Sequence, residues 1–339
     1  MAARKLRTGI LASAATLVVC LLAAEGLLRV GVIRNDRHEA NGARAAWEGA
    51  ERRVALFGDS FLASPLGPML TDDLGREGVA VVNLAEQGTG PAVYHARLRH
   101  RRLDPEPDLV LVGYYVGNDL TDTRFRDPVE QANSGPRGPV YERRAWTSPY
   151  LVDYVRQKTR PRQRWEFDWD YFEEMGRPTD LIELARSGRM NPWLLDLASK
   201  RPSHLLDNVL IDGEDNEEAW ERVADEFRAM KALCDERGVP MVVVVFPRSV
   251  QIARWRFEFF DRLGFELDER TLETTRPQDL MKALCAEEGI PVLDVLPHLR
   301  ANATEDQFIE NDDHFNEIGN RLVADVLGPF LLEQLVERK

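Results

Sequence analysis

Val54-Ala-Leu-Phe-Gly-Asp-Ser60-Phe-Leu-Ala-Ser64 is the stretch on which the reading of this chain turns. Four apolar residues run without a break, then Gly58, then Asp59-Ser60 at the head of a helix-like segment. An unbroken apolar run fits a strand covered on both faces, as in a parallel sheet. Gly58 permits a tight turn, and Ser60 falls just past the strand, where open α/β sheets bind ligands. A serine or aspartate before a helix is equally good N-cap chemistry, so the stretch alone leaves nucleophile and cap both open.

The rest of the chain repeats the pattern. Val79–Leu84, Leu109–Tyr115, Met241–Phe246 and Val292–Val295 read as further buried strands. Helical segments are expected at Leu62–Gly75, Ala92–Arg102, Glu217–Arg237, Asp279–Glu288 and Phe315–Leu327, the last ended by Gly328-Pro329. Strands alternating with helices predict a parallel, doubly wound α/β sheet. Asp119–Leu210 breaks the alternation and is rich in Arg, Pro and aromatic residues. It is expected as an insertion after the third strand, partly helical near Tyr171–Arg186. The domain limits follow: residues 53–335 with an insertion at 120–210, preceded by a polar linker at 34–52.

With 339 residues, 44% of them hydrophobic, the chain can bury a substantial core. A net charge of −13 speaks against a nucleic-acid partner, which calls for a basic face. Arg4, Lys5 and Arg7 precede an uncharged run from Gly9 to Ala24, and Gly26–Ile33 is again apolar apart from Arg29. An uncleaved transmembrane helix over residues 1–33 is the expectation, single-pass, with the following domain outside the cytoplasm. Cleavage after Ala24 would place bulky Leu22 at −3, which disfavours a signal peptide. Cys234 and Cys285 either form one disulfide or stand as two buried thiols on separate helices. No Cys-x-x-Cys and no His-Glu-x-x-His occurs, so the sequence offers no metal site.

Three further segments lie at strand ends or before a helix. Gly88-Thr89-Gly90 follows the second strand, but the position of a third glycine is Val93, which speaks against a dinucleotide cofactor. A glycine there can present a backbone N–H to an oxyanion. Gly117-Asn118-Asp119 ends the third strand and supplies a neutral amide donor. Asn311-Asp312-Asp313-His314 precedes the final helix and offers a base for a serine with an acid beside it.

Together these segments resemble the SGNH, or GDSL-like, hydrolases: Gly58-Asp59-Ser60 the first block, Gly88 the second, Gly117-Asn118-Asp119 the third and His314 the last. The resemblance spans about residues 53 to 330, the insertion excepted. It implies a flavodoxin-like three-layer αβα sandwich, no cofactor, Ser60 as nucleophile and His314 as base. It also implies oxyanion donors at the Ser60 N–H, the Gly88 N–H and the Asn118 side chain, with Gly88 taken over Gly90 as nearer the strand. The common last block is Asp-x-x-His, yet position 311 is Asn. Asp312 gives Asp-x-His, similar to membrane-associated members that O-acetylate polysaccharides. In an extended loop Asp313 would point away from the histidine and Asp312 would share its side, so Asp312 is expected to orient the ring.

The expected activity is a serine esterase acting on an acylated small molecule or glycan. An O-acyltransferase and a non-catalytic binding domain on the same fold are the alternatives. Tyr114 and Tyr115 stand as candidates for the pocket or the core. Trp165, Trp169, Tyr171 and Phe172 are candidates for sugar stacking or for the insertion's own core.

Overall fold

The computed structural model describes residues 16, 19–27, 47, 49–63, 65–100, 103, 105–125 and 167–336. Five strands, β1 (Arg52–Phe57), β2 (Val79–Asn83), β3 (Leu109–Tyr115), β4 (Met241–Phe246) and β5 (Val292–Asp294), form one sheet in the order β2-β1-β3-β4-β5. Every pairing is parallel. This is the doubly wound arrangement expected from the sequence, and its chain reversal beside β1 puts the ends of β1 and β3 at the switch point.

The helices run in chain order: α1 (Ser60–Ala63), α2 (Leu66–Arg76), α3 (Pro91–His100), α4 (Asp119–Phe125), α5 (Trp169–Glu174), α6 (Thr179–Arg186) and α7 (Pro192–Lys200). Then come α8 (His204–Leu210), α9 (Glu214–Glu236), α10 (Ser249–Ile252), α11 (Arg254–Leu263), α12 (Arg276–Glu287), α13 (Leu296–Ala301) and α14 (Glu317–Val336). Side-chain alternation along the strands builds two cores, one on each face. Ala55, Phe57, Val110, Val112, Val243 and Val245 pack with Leu98 of α3, Phe227 of α9 and Met281 of α12. Val54, Leu56, Leu109, Leu111, Val242 and Val244 pack with Leu70 of α2 and Leu327 of α14. Both sheet faces are covered, which is why the strands read as continuous apolar runs.

Two helix limits differ from expectation. The segment expected as one helix over Leu62–Gly75 is divided into α1 and α2. Pro65 stands between them, and a proline disfavours helical geometry in the residue before it. The last helix does not stop at Gly328-Pro329 but continues to Val336 with Pro329 inside it. Pro329 removes one helical hydrogen bond, yet Leu331 and Leu335 beyond it are buried in the same core as Leu327, and that burial carries the helix on.

The region after β3 is helical from Trp169 to Leu210 through α5 to α8. Phe172, Leu181, Ile182, Leu195 and Leu205 are buried and join the core on the α3–α9 face. Cys234 and Cys285 are free, buried thiols on α9 and α12, and burial pushes both up to about 12. The anchor expected over residues 1–33 falls largely outside the described residues, as does most of the linker at 34–52. Among the described residues no helix is long and apolar enough to cross a membrane.

Two glycines of α2 separate packing from propensity. A Cβ on Gly67 would lie 1.9 Å from Asn83 Nδ2 and 2.5 Å from the Leu62 carbonyl oxygen, whereas a Cβ on Gly75 would meet nothing within 4 Å. Gly67→Ala is therefore expected to destabilise by about 1–3 kcal/mol despite alanine's better helix propensity. Gly75→Ala should be neutral or stabilise by up to about 1 kcal/mol. Urea unfolding of the two variants checks the opposite signs.

Candidate active site

The turn from β1 into α1 presents Ser60. Asp59 Oδ1 accepts the Phe61 N–H at 2.9 Å, and the Gly58 carbonyl accepts the Glu86 N–H at 2.9 Å, so the turn is tied both to itself and to the segment after β2. Opposite it, Phe308 and Phe315 pair as an antiparallel bridge, and Ile309 N–H donates to the His314 carbonyl at 2.9 Å. This hairpin returns His314 to a serine 254 residues earlier in the chain.

His314 Nε2 lies 2.8 Å from Ser60 Oγ, and His314 Nδ1 lies 2.9 Å from Asp312 Oδ1. Asp312 can only accept when ionised, so Nδ1 carries the proton and Nε2 faces the serine as an acceptor. The ring of Phe61 stacks on His314 at 5.2 Å between centroids. Of the three residues that could have served the histidine, Asp312 makes the contact. Asn311, in a left-handed conformation at φ 57°, instead donates to the Arg189 carbonyl at 3.4 Å.

The electrostatics fit a charge held beside the ring. Burial alone would raise the Asp312 carboxyl, but the hydrogen bond and charge of His314 outweigh it and hold Asp312 below the usual carboxylate range. Burial alone would lower His314, and the hydrogen bond and charge of Asp312 lift it above the ordinary histidine value. Asp59 behaves oppositely. Burial drives it up to about 6, against the Phe61 N–H and the His314 charge, and nearby Asp122 adds to the rise. Asp119, buried and hydrogen-bonded to Tyr94 and to the Tyr115 N–H, is pushed well above the usual range by burial and then by the charge of Asp59.

The expected oxyanion donors stand at strand ends. Asn118 is half-buried, and its Nδ2 donates to Asp122 Oδ2 at 3.2 Å, which fixes the orientation of the amide. Gly88 is exposed in a left-handed turn at φ 69°, while Gly90 is buried and its carbonyl accepts the Val93 and Tyr94 N–H groups at the start of α3. Tyr114 is core, packed edge-on against Trp220 and Phe227. Among the described residues no group of three or more His, Cys, Asp or Glu side chains is placed to hold a metal ion. An open cleft of about 760 Å³, lined by Asp212, Arg270 and Arg276 among others, is not lined by any residue of the serine–histidine site. A groove of about 400 Å³, lined by Ala63, Pro68, Asn83 and Ala85 among others, begins one helical turn beyond Ser60.

Two sets of residues escaped the sequence. Asn191, at the N-cap of α7, donates from Nδ2 to Asp312 Oδ1 at 3.4 Å, and its N–H donates to the Asn311 carbonyl at 3.3 Å. Asp313 turns away from the histidine and is buried. Its carboxylate accepts from the Tyr115 and Ser249 hydroxyls and lies 2.9 Å from Arg248 Nε and 3.5 Å from Arg256 Nη2. Arg256 Nη2 also reaches the Asp312 carbonyl at 2.5 Å, and its guanidinium lies 4.4 Å above the Phe259 ring. The available signal was positional: Arg248-Ser249 follow β4 as Asp59-Ser60 follow β1.

Asp313→Ala would leave two buried guanidinium groups without their carboxylate. Breaking such a cluster from one side costs about 3–5 kcal/mol. Denaturant unfolding should show that loss for Asp313→Ala, and a much smaller one for Asn311→Ala, whose half-buried amide makes one long hydrogen bond at 3.4 Å.

Residues 206–338 match the family model described as "SGNH hydrolase-like domain, acetyltransferase AlgX"; the matched stretch holds Asp312 and His314 but not Ser60, Gly88 or Asn118. No curated protein sequence matches the chain. Among solved structures the chain is similar to a lipase/acylhydrolase from Enterococcus faecalis, with 15% identity, a TM-score of 0.39 and coverage of 84% of this chain and 96% of that one. It is also similar to the acetyl xylan esterase AlAXEase, with 13% identity, a TM-score of 0.41 and coverage of 83% and 98%. A catalytic mutant of an acetylxylan esterase from Geobacillus stearothermophilus is matched at 9% identity, with a TM-score of 0.41 and coverage of 85% and 95%. Over residues 206–338 the chain is similar to the SGNH hydrolase-like family that its sequence motifs resemble.

Proposed function

We propose that the protein is a serine esterase that removes acyl groups from a glycan. One observation carries the reading: the unbroken chain from Ser60 Oγ to His314 Nε2 at 2.8 Å and from His314 Nδ1 to Asp312 Oδ1 at 2.9 Å. A nucleophile, a base and a group that holds the base are the parts acyl transfer through serine needs.

Ser60 Oγ attacks the ester carbonyl carbon while His314 Nε2 takes its proton. The imidazolium that forms is stabilised by Asp312, which stays ionised. The tetrahedral oxyanion is assigned to the Ser60 N–H, the Gly88 N–H and the Asn118 Nδ2. Asp122 occupies one N–H of that amide and leaves the other to donate. The intermediate collapses by breaking the bond to the sugar oxygen, which leaves with the proton from His314. Water, deprotonated by His314, then attacks the acyl-serine, and the carboxylic acid departs as Ser60 regains its proton. The His314 side chain is 35% exposed, so the reacting atoms stand at an open surface where a substituent on a bulky polymer can reach them. The placement outside the cytoplasm, anchored through residues 1–33, belongs to the same proposal and rests on the charge and hydropathy of those residues.

A second reading, transfer of the acyl group to a sugar hydroxyl instead of water, is favoured by the similarity of residues 206–338 to a family described as an acetyltransferase. Incubation with an acyl donor with and without acceptor sugars separates the two: acylated acceptor supports transfer, free acid alone supports hydrolysis.

Ser60→Ala should abolish p-nitrophenyl acetate hydrolysis and labelling by a serine-directed phosphonate while keeping the wild-type unfolding midpoint within a few degrees. Full activity in that variant would end the serine-enzyme reading.

The pH profile has a definite sign. His314 must be neutral to accept the proton, so kcat/KM rises with pH through the histidine's titration. Asp312 holds that titration above the ordinary histidine value. Asp312→Asn should lower turnover by up to about 10⁴ and move the acidic limb to lower pH. An unmoved limb would show that another group sets the profile.

A further inference from the structure

We propose that Asn191 is a positioning residue: its amide holds the Asp312 carboxylate in line with His314, which makes the loop before α7 part of the reaction machinery. The inference rests on the esterase reading of the same site. Asn191 is half-buried at the N-cap of α7, and its side chain meets two neighbours of opposite polarity. Its Oδ1 accepts the Trp193 N–H at 3.2 Å, and its Nδ2 donates to Asp312 Oδ1 at 3.4 Å. An N–H requires the amide oxygen and a carboxylate requires the amide nitrogen, so both neighbours demand the same orientation of the amide. Capping alone needs only the oxygen, and serine, threonine or aspartate would supply it. The nitrogen is what asparagine adds, and it is directed at Asp312.

The other contacts of that carboxylate are local. Asp312 Oδ1 accepts the Asp313 N–H at 2.6 Å and the His314 N–H at 3.4 Å, and it holds His314 Nδ1 at 2.9 Å. These donors belong to the same loop and move with it. Asn191 comes from a different element, 121 positions earlier in the chain. Burial of Leu194, Leu195 and Ala198 fixes α7, so its N-cap is a firm outside reference for the acid. The two backbones are joined as well. The Asn191 N–H donates to the Asn311 carbonyl at 3.3 Å, and Asn311 Nδ2 donates to the Arg189 carbonyl at 3.4 Å. Neither bond uses the Asn191 amide. The side-chain bond therefore sets the aim of the carboxylate, and the other two set the proximity of the loops.

A donor to a carboxylate also favours its ionised form. Against burial, His314 and the Asp313 N–H hold Asp312 below the usual carboxylate range, and the Asn191 amide adds to that pull. An acid kept ionised and aimed stabilises the imidazolium that forms as Ser60 gives up its proton. The effect of Asn191 falls on the chemical step and leaves substrate binding alone.

Asn191→Ser isolates the amide. It keeps a capping oxygen and the backbone bond to Asn311, and its shorter side chain stops short of Asp312. The full-length variant should unfold within a few degrees of wild type. On p-nitrophenyl acetate its kcat should fall roughly tenfold with KM unchanged, the lower end for loss of a hydrogen bond to a charged group. Labelling of Ser60 by a serine-directed phosphonate should slow by a similar factor. In an Asp312→Ala background the same substitution should slow labelling by less than about twofold, because the amide acts through that carboxylate. A second measurement needs no turnover. With isotope-labelled histidine, NMR follows exchange of the His314 Nδ1 proton with water, and His314→Ala assigns the resonance. Asn191→Ser should speed that exchange. Unchanged kcat and proton exchange in Asn191→Ser would overturn the proposal, as would an equal loss in the Asp312→Ala background. Failure of the wild-type protein to turn over any ester would sink the esterase reading, and proton exchange would then decide the tie between Asn191 and the histidine by itself.

Discussion

Burying the Asp313 carboxylate against the guanidinium groups of Arg248 and Arg256 takes three charges out of water together. Isolated, each would carry a desolvation cost of several kcal/mol. The cluster persists because its members are also hydrogen-bonded, through the Tyr115 and Ser249 hydroxyls and the carbonyls of Gly117 and Asp312. Four parts of the chain meet there: the end of β3, the loop after β4, α11 and the histidine hairpin. The position of His314 follows from this knot, since the residue beside it cannot leave its partners without exposing two unpaired cations. Gly117 is a glycine for the same reason. A Cβ there would lie 2.1 Å from the Tyr115 ring that reaches into the cluster.

The neighbouring residues of one short loop thus divide the labour by direction alone. Asp312 faces the histidine and the α7 N-cap, Asp313 faces the sheet, and Asn311 turns back to Arg189. The loop is not extended as expected: residues 312–314 are bends in which Asp312 Oδ1 accepts the Asp313 and His314 N–H groups, and this side-chain turn separates the acid that contacts the histidine from the acid that fixes the loop. A second pair of acids, Asp59 and Asp119, lies beside Ser60 and below the turn, and burial pushes both up.

Legibility from the sequence tracked the range of the interaction. The five strands and their parallel order were readable because burial on both faces writes itself as unbroken apolar runs. Ser60, Asp312 and His314 could be nominated because a strand end and a short acidic stretch before a helix are local features. Pro65 and Pro329 show the limit: the first divided a helix that periodicity joined, and the second failed to end one because Leu331 and Leu335 bury beyond it. Asn191, Arg248 and Arg256 act on residues about 60 to 120 positions away, and no local pattern announces such partners. Among the described residues the stretch after β3 reaches Asp312 through the Asn191 side chain, a partner that composition does not announce.

The histidine hairpin and α14 stand far from the nucleophile in the order of synthesis. Ser60 is made first, and the imidazole it contacts lies 254 residues further on. Until α14 settles beside α2 and the hairpin closes, Ser60 lacks its histidine partner. The serine–histidine contact therefore forms only once both ends of the domain have joined in one layer. Timing is built into the connectivity.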